Sequence, residues 1–288
     1  MQKRRFGLST YLYQGRRLTR EHLLEIGAHG FETVELFATR THFDYHSPTA
    51  VADLQHWLAE AGLELGAVHA PVAESFSGGR WGTQLNLANA DKDARQHAID
   101  EAVLALQIAR RIPFRAFVVH LGLPRPAENS RDGARRSVNA LQEIADPLGV
   151  ALALEVIPNE LSRPGSLVYF IEEAIDARGV GICLDFGHAH MAGDLVDSIE
   201  VVSEHLMAIH LHDNLGRIDD HLVPFDGSID WPAALTAVQK VGYDGTLVFE
   251  LAARGPAKET LKKARRARER MERLLGSGLK TQGLSHEP

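Results

Sequence analysis

The sequence predicts an α/β protein folded as a single (β/α)8 TIM barrel, and three observations lead there. Strand-like stretches and helical patterns alternate eight times along 288 residues, with no linker-like shift in composition. The segment 151–157 is a near-continuous apolar run, as expected of a strand covered on both faces. No Gly-rich dinucleotide fingerprint follows any strand, which argues against a doubly wound open sheet.

Phe6 to Thr10 reads as the first strand, followed by a helix near 19–28 with Thr19 as N-cap. Residues 31–37 alternate in β fashion and put Thr33, Glu35 and Phe37 on one face. Pro48 and Thr49 open a helix to about Ala61, and Leu65 to Pro71 is a third strand stopped by the proline. Residues 72–90 form a loop rich in Gly, Ser and Asn, long enough to be a lid or binding segment. A helix fills 91–111. Ala116 to Gly122 is the fourth strand, ending in His120, and a Pro-rich loop leads to a helix over 130–146. The run 151–157 contains Glu155 and precedes a helix near 166–177. Val180 to Phe186 carries Asp185 at its end, with His188 and His190 just beyond. A helix near 194–205 leads to the seventh strand, around 207–212. There Ala208, His210 and His212 share one face while Ile209 and Leu211 take the other. Asp230 caps a helix reaching Lys240, with Pro232 in its first turn. Gly245 to Leu251 is the eighth strand and carries Glu250. A charged helix over 257–275 closes the barrel domain (1–275), and 276–288 reads as a flexible C-terminal tail.

Hydrophobic content of 44% and charged content of 24% are those of a globular protein. No apolar run nears the roughly 18 residues needed to span a bilayer. The basic start, Met1 to Gly7, lacks the apolar segment of a signal peptide. The single cysteine, Cys183, fits a reducing compartment, so a cytoplasmic protein is expected. A net charge of −7 supplies no overall basic footprint, so nucleic acid is not the expected partner. A homo-oligomer is compatible with the sequence.

Barrel active sites lie at the C-terminal ends of the strands. Here those ends carry His69, His120, Glu155, Asp185, His210 and Glu250, with His188, Asp219 and His221 in the loops just after. A carboxylate at the end of a buried apolar strand is costly unless paired or coordinated. Arg217 alone stands near enough in sequence to pair with one of them. Glu155, Asp185 and Glu250 together therefore call for a divalent cation.

Leu-Glu-Val at 154–156, Cys-Leu-Asp-Phe-Gly-His at 183–188, Ile-His-Leu-His-Asp-Asn at 209–214, Gly-Ser-Ile-Asp-Trp at 227–231 and Gly-Tyr-Asp-Gly-Thr-Leu-Val-Phe-Glu at 242–250 carry a resemblance. To about residue 255 the chain resembles the xylose isomerase-like barrel superfamily, which includes sugar isomerases and epimerases and the type IV AP endonucleases. The ketose 3-epimerase branch implies one divalent ion (Mn2+, Zn2+, Mg2+ or Co2+) on Glu155, Asp185, His210 and Glu250. It also implies that the two glutamates act as acid and base on opposite faces of the substrate, and that His188 contacts the substrate. The endonuclease branch implies three zinc ions on nine ligands, matched by His69, His120, Glu155, Asp185, His188, His210, Asp219, His221 and Glu250. The chain departs from both. The epimerases' further glutamate falls on Leu161, with Glu160 one place early, and their substrate arginine falls on Gly216, with Arg217 one place late. The endonucleases' Ile-Gly-x-Gly type segment is replaced by Leu-Val-Pro-Phe-Asp-Gly-Ser-Ile-Asp-Trp.

The expected activity is a metal-dependent isomerase or epimerase of a small-molecule sugar or sugar phosphate, working by proton transfer through an enediolate. His188 and Arg217 are the expected substrate contacts. The alternatives are an endonuclease IV-like zinc phosphodiesterase and a barrel that binds sugar or metal without turnover. One ion is expected at the four-residue site and a weaker one at His69 and His120. The histidines near it should be neutral. Glu35 reads as a polar residue of the barrel interior, Cys183 as core packing, and His190 and His212 as hydrogen-bonding supports for ligands. Arg80 and Trp81 are candidates to cover a sugar ring or to pack at the surface. His42 reads as structural.

Overall fold

Alternate residues along each strand sort into two populations, and that sorting closes the sheet. The computed structural model describes residues 4–123, 128–175 and 178–281. Among these, β1 (Phe6–Ser9), β2 (Thr33–Phe37) and β3 (Glu64–His69) are followed by a small hairpin of β4 (Phe76–Ser77) and β5 (Arg80–Trp81). Then come β6 (Ala116–Val119), β7 (Ala151–Glu155), β8 (Val180–Asp185), β9 (Leu206–Leu211) and β10 (Leu247–Phe249). All but the hairpin form one closed barrel in the order β1-β10-β9-β8-β7-β6-β3-β2, paired in parallel.

Outward residues such as Leu36, Val68, Phe117, Leu152, Leu184, Ile209 and Phe249 join one large core between the barrel and its helices. Inward residues are small at the bottom, where Ala67, Ala116, Val118, Ala153 and Cys183 form a separate cluster. At the top the inward positions become Glu35, His69, Glu155, Asp185, His210 and Glu250, all buried. The filled lower barrel makes the upper interior a floor rather than a pore.

The helices are α1 (Arg20–Ala28), α2 (Pro48–Ala61), α3 (Lys92–Leu106), α4 (Arg131–Ala145), α5 (Pro164–Ala174), α6 (Phe186–Ala192), α7 (Leu195–Val201), α8 (Trp231–Lys240) and α9 (Ala257–Thr281). Their starts follow ordinary capping chemistry: Ser47, Asp91, Ser130 and Asp230 each accept a backbone N–H of the first turn. Two sequence expectations are corrected. The last helix continues to Thr281, so the expected tail does not begin at 276, and residues 282–288 lie outside the described residues. His188 and His190 sit not in a loop but on α6, which starts directly from the end of β8. Among the described residues no helix is long and apolar enough to cross a membrane.

His42, in the loop after β2, is fully buried. Its Nδ1–H donates to the Arg16 carbonyl at 2.7 Å, while Nε2 accepts from the Thr10 hydroxyl at 3.1 Å. Burial pushes this imidazole down to about 4, from an ordinary 6.5. The unfolded chain therefore binds the proton first, and folding stability falls as the pH drops from 6.5 to about 4. The loss is about 3 kcal/mol from this residue. Urea unfolding across that window should show a shallower pH dependence in His42→Asn than in the wild type. An identical slope would remove His42 as the cause.

Candidate metal centre

Asp185 shows how the local sequence builds the site. It ends β8 and serves as N-cap of α6, where Oδ1 accepts the His188 backbone N–H at 2.7 Å. The turn from strand to helix thus delivers the two side chains to one point. Gly187 allows it, since a Cβ at that position would collide with the His212 ring. Asp185 is paired in register with His210 on β9, and Val248 on β10 is paired with His210 from the other side.

Four side chains converge at the barrel floor. His210 Nδ1 lies 3.5 Å from Glu155 Oε1, 3.7 Å from Glu250 Oε2 and 3.9 Å from Asp185 Oδ2. Glu155 Oε1, Asp185 Oδ2 and His210 Nδ1 are fully buried and have no hydrogen-bond partner. Ligand atoms of the four residues lie within 4.8 Å of one another. Buried polar atoms are almost always satisfied, and one cation at the shared centre would satisfy all three. The donor set, three carboxylates and one imidazole, fits a divalent ion.

Two further groups adjoin this one. His69 Nε2 and His120 Nε2 stand 3.0 and 3.1 Å from Glu155 Oε2. His188 Nε2 and His221 Nε2 stand 3.2 and 3.1 Å from Asp219 Oδ2. His212 belongs to the second group; its ring stacks on His221 with centroids 3.9 Å apart. In His69, His188 and His221 the Nδ1–H is already given to a backbone carbonyl, those of Ala70, Val156 and Glu250. Each Nε2 then faces a carboxylate, and only a proton or a cation reconciles the two. His221 is held with a positive φ of 46°, a conformation that non-Gly residues rarely adopt away from functional sites.

The electrostatics follow from this crowding. Burial opposes charge on every ring. Glu155 nevertheless raises His69 to about 9, Asp185 and Asp219 raise His188 to about 10, and Asp219 raises His221 to about 9. Without a metal these rings therefore favour the charged form, whereas the neutral histidines expected from the sequence belong to the metal-bound protein. Burial lowers His120 and His212. Burial would raise Glu155, but His120 and His210 hold it well below the carboxylate range. Glu250 goes the other way: burial pushes its carboxyl up to about 7.

A cavity of about 250 Å3 opens above the floor. Glu155 and Glu250 line it with His69, His120, His188, Asp219 and His221; Asp185 and His210 lie beneath. The remaining wall is mostly apolar or aromatic, and includes Tyr11, Phe37, Trp81 and Ile157. Trp81 reaches it from the β4–β5 hairpin, packed on Phe76 with centroids 4.6 Å apart, so the long loop does form part of the site. Arg217 does not. It is exposed on the loop after β9 and is absent from the cavity wall. Asp213 fixes that loop by accepting from Phe225 N, Ile229 N and Trp231 Nε1 at 2.9, 3.1 and 2.7 Å.

All nine ligand-type residues expected from the sequence are thus brought to one mouth. Glu35 on β2, read from the sequence as a polar residue of the barrel interior, bonds His210 Nε2 at 2.9 Å. One contributor was passed over. Tyr11 stacks on His221 with centroids 4.7 Å apart; it follows β1 in a short turn where no period marks its direction.

Comparisons with known proteins agree with this architecture. An uncharacterised protein of Methanocaldococcus jannaschii is 28% identical over 258 residues, covering 85% of this chain and 83% of its own. An inosose isomerase of Bacillus velezensis is 23% identical over 258 residues, covering 84% and 87%. The crystal structure of a D-tagatose 3-epimerase-like protein superposes with a TM-score of 0.80 at 24% identity, over 96% of this chain and 99% of that one. The structure of an IOLI protein with a bound zinc atom gives 0.73 at 20% identity, over 93% and 98%. Residues 23–274 match the family described as the xylose isomerase-like TIM barrel, and the chain belongs to that family.

Proposed function

We propose that this chain is a divalent-metal-dependent isomerase or epimerase of a small sugar, with Glu155 and Glu250 as the proton-transfer pair. The observation that carries the reading is the convergence of three buried, unpartnered ligand atoms, of Glu155, Asp185 and His210, beside the buried carboxyl of Glu250. Glu155 and Glu250 project from β7 and β10, separated by two strands around the barrel, and both line the cavity. They can therefore reach a bound sugar from different sides, one removing the proton beside the carbonyl and the other returning one. A divalent ion bound at the four-residue site would polarise the substrate's carbonyl and hydroxyl oxygens and stabilise the enediolate. His188 would hold a substrate hydroxyl. The similarity to an inosose isomerase and the zinc in the IOLI structure support both halves of the reading.

Charge argues for a substrate without phosphate. Among the described residues the cavity wall has no lysine or arginine, the residues that recognise phosphate. A nucleic-acid backbone is disfavoured for the same reason. A second reading, metal-dependent phosphodiester cleavage, is favoured by one observation: the groups around Glu155 and Asp219 could hold further ions next to the first.

One experiment separates the two readings. The purified protein is incubated in deuterated water with a panel of ketoses, aldoses and inososes, and in parallel with a duplex containing an abasic site. Deuterium entering the carbon next to a carbonyl is the expected result. Strand cleavage without sugar exchange would replace the isomerase reading with the phosphodiesterase one.

A further inference from the structure

We infer that Glu35 is a positioning residue that fixes the tautomer and ring orientation of His210 for the metal centre. The inference rests on the metal site proposed above, and it concerns a residue outside the four ligands.

Three other rings of the mouth are oriented by the backbone. His69, His188 and His221 give Nδ1–H to the carbonyls of Ala70, Val156 and Glu250 and present Nε2 to the site. His210 is turned the opposite way. Among the described residues no backbone carbonyl bonds its ring; Nε2–H instead donates to Glu35 Oε2 at 2.9 Å, across the barrel from β9 to β2. Both side chains are buried. Nδ1 then faces three carboxylate oxygens at 3.5, 3.7 and 3.9 Å and bonds none of them.

That pattern differs from a simple structural ion pair. A doubly protonated ring held for stability would place its second N–H on one acceptor at hydrogen-bond distance. Here Nδ1 is near-equidistant from three acceptors, which is where a lone pair aimed at their common centre belongs. Glu35 is also a poor stabiliser in its own right, because Oε1 is buried without a partner. A buried carboxylate with a single bond is expensive, and an apolar pair would pack there at less cost. Both features are explained if Glu35 acts through His210. By accepting Nε2–H it commits Nδ1 to the metal and raises the basicity of the ring, as carboxylates behind metal-bound histidines do.

The test uses the full chain, with Zn2+ alone as probe and competition against a chromophoric chelator as readout. Glu35→Leu, which removes the acceptor, should weaken Zn2+ binding about 10- to 100-fold, while the melting temperature of the chelator-treated protein is unchanged or raised. A structural role would lower that melting temperature and leave affinity alone. Binding within twofold of wild type would overturn the inference. If the variant does not fold, the wild type decides through 15N NMR of the His210 ring with Zn2+ bound: a protonated Nε2 is expected, and a protonated Nδ1 overturns the assignment. Wild-type protein that takes up no Zn2+ would instead remove the metal centre itself, a failure distinct from that of Glu35.

Discussion

Glu155→Gln and Glu250→Gln are each expected to lower solvent-proton exchange into the substrate by about 100- to 10,000-fold, the range for loss of a positioned acid or base. The two variants should fail for partly different reasons. Glu155 Oε2 is committed to His69 and His120 and only Oε1 faces the centre. An amide there cannot satisfy both sides, so ion binding should weaken along with exchange. Glu250 is the carboxyl that burial brings to about 7. Its amide should retain more of the ion and still lose the proton transfer. Deuterium uptake measured at saturating metal separates these effects. Near-full exchange by either variant with metal bound would rule out the two-glutamate mechanism.

Removing the divalent ion should both stop exchange and soften the fold. A ligand at 100 times its dissociation constant stabilises the folded state by about 2.7 kcal/mol, so chelation should lower the melting temperature by about 5–10 °C. The effect depends on pH with a definite sign. His69, His188 and His221 are raised from 6.5 to about 9, 10 and 9. In the metal-free protein their stabilisation is complete below 6.5 and is lost as the pH rises through those higher values. An ion at the four-residue site would be repelled by these nearby cationic rings, so its affinity should climb as they lose their protons over that interval. The difference between loaded and stripped melting temperatures should therefore widen from pH 6.5 to 9. A constant difference would mean that the charge on these histidines does not reach the ion. One tightly held ion per chain is expected at Glu155, Asp185, His210 and Glu250. A count near three that collapses in His120→Ala would raise phosphodiester cleavage above sugar isomerisation.

Much of the site was legible because a (β/α)8 barrel converts position in the chain into position in space. A ligand-type residue on the inward face at a strand's C-terminal end must reach the mouth, and His69, Glu155, Asp185, His210 and Glu250 all do. The alternation of Ala208 and His210 against Ile209 and Leu211 was readable for the same reason, and it set which face meets the helices. Loops carry no such period. Arg217, one place out of step with the epimerase arginine, ended exposed because the backbone after Asn214 is governed by Asp213 and its bonds to Phe225, Ile229 and Trp231. Trp81 entered the cavity wall only because residues 76–81 pair as a hairpin over Phe37. The sequence by itself determined the barrel, the inward rows and which ligand-type side chains stand at the strand ends, since those depend on local period and composition. Only the tertiary structure decided which nitrogen of each histidine is free, that Glu35 on β2 reaches His210 on β9, and which carboxylates share a proton load. Those outcomes depend on distances between residues far apart in the chain, and no local pattern encodes them.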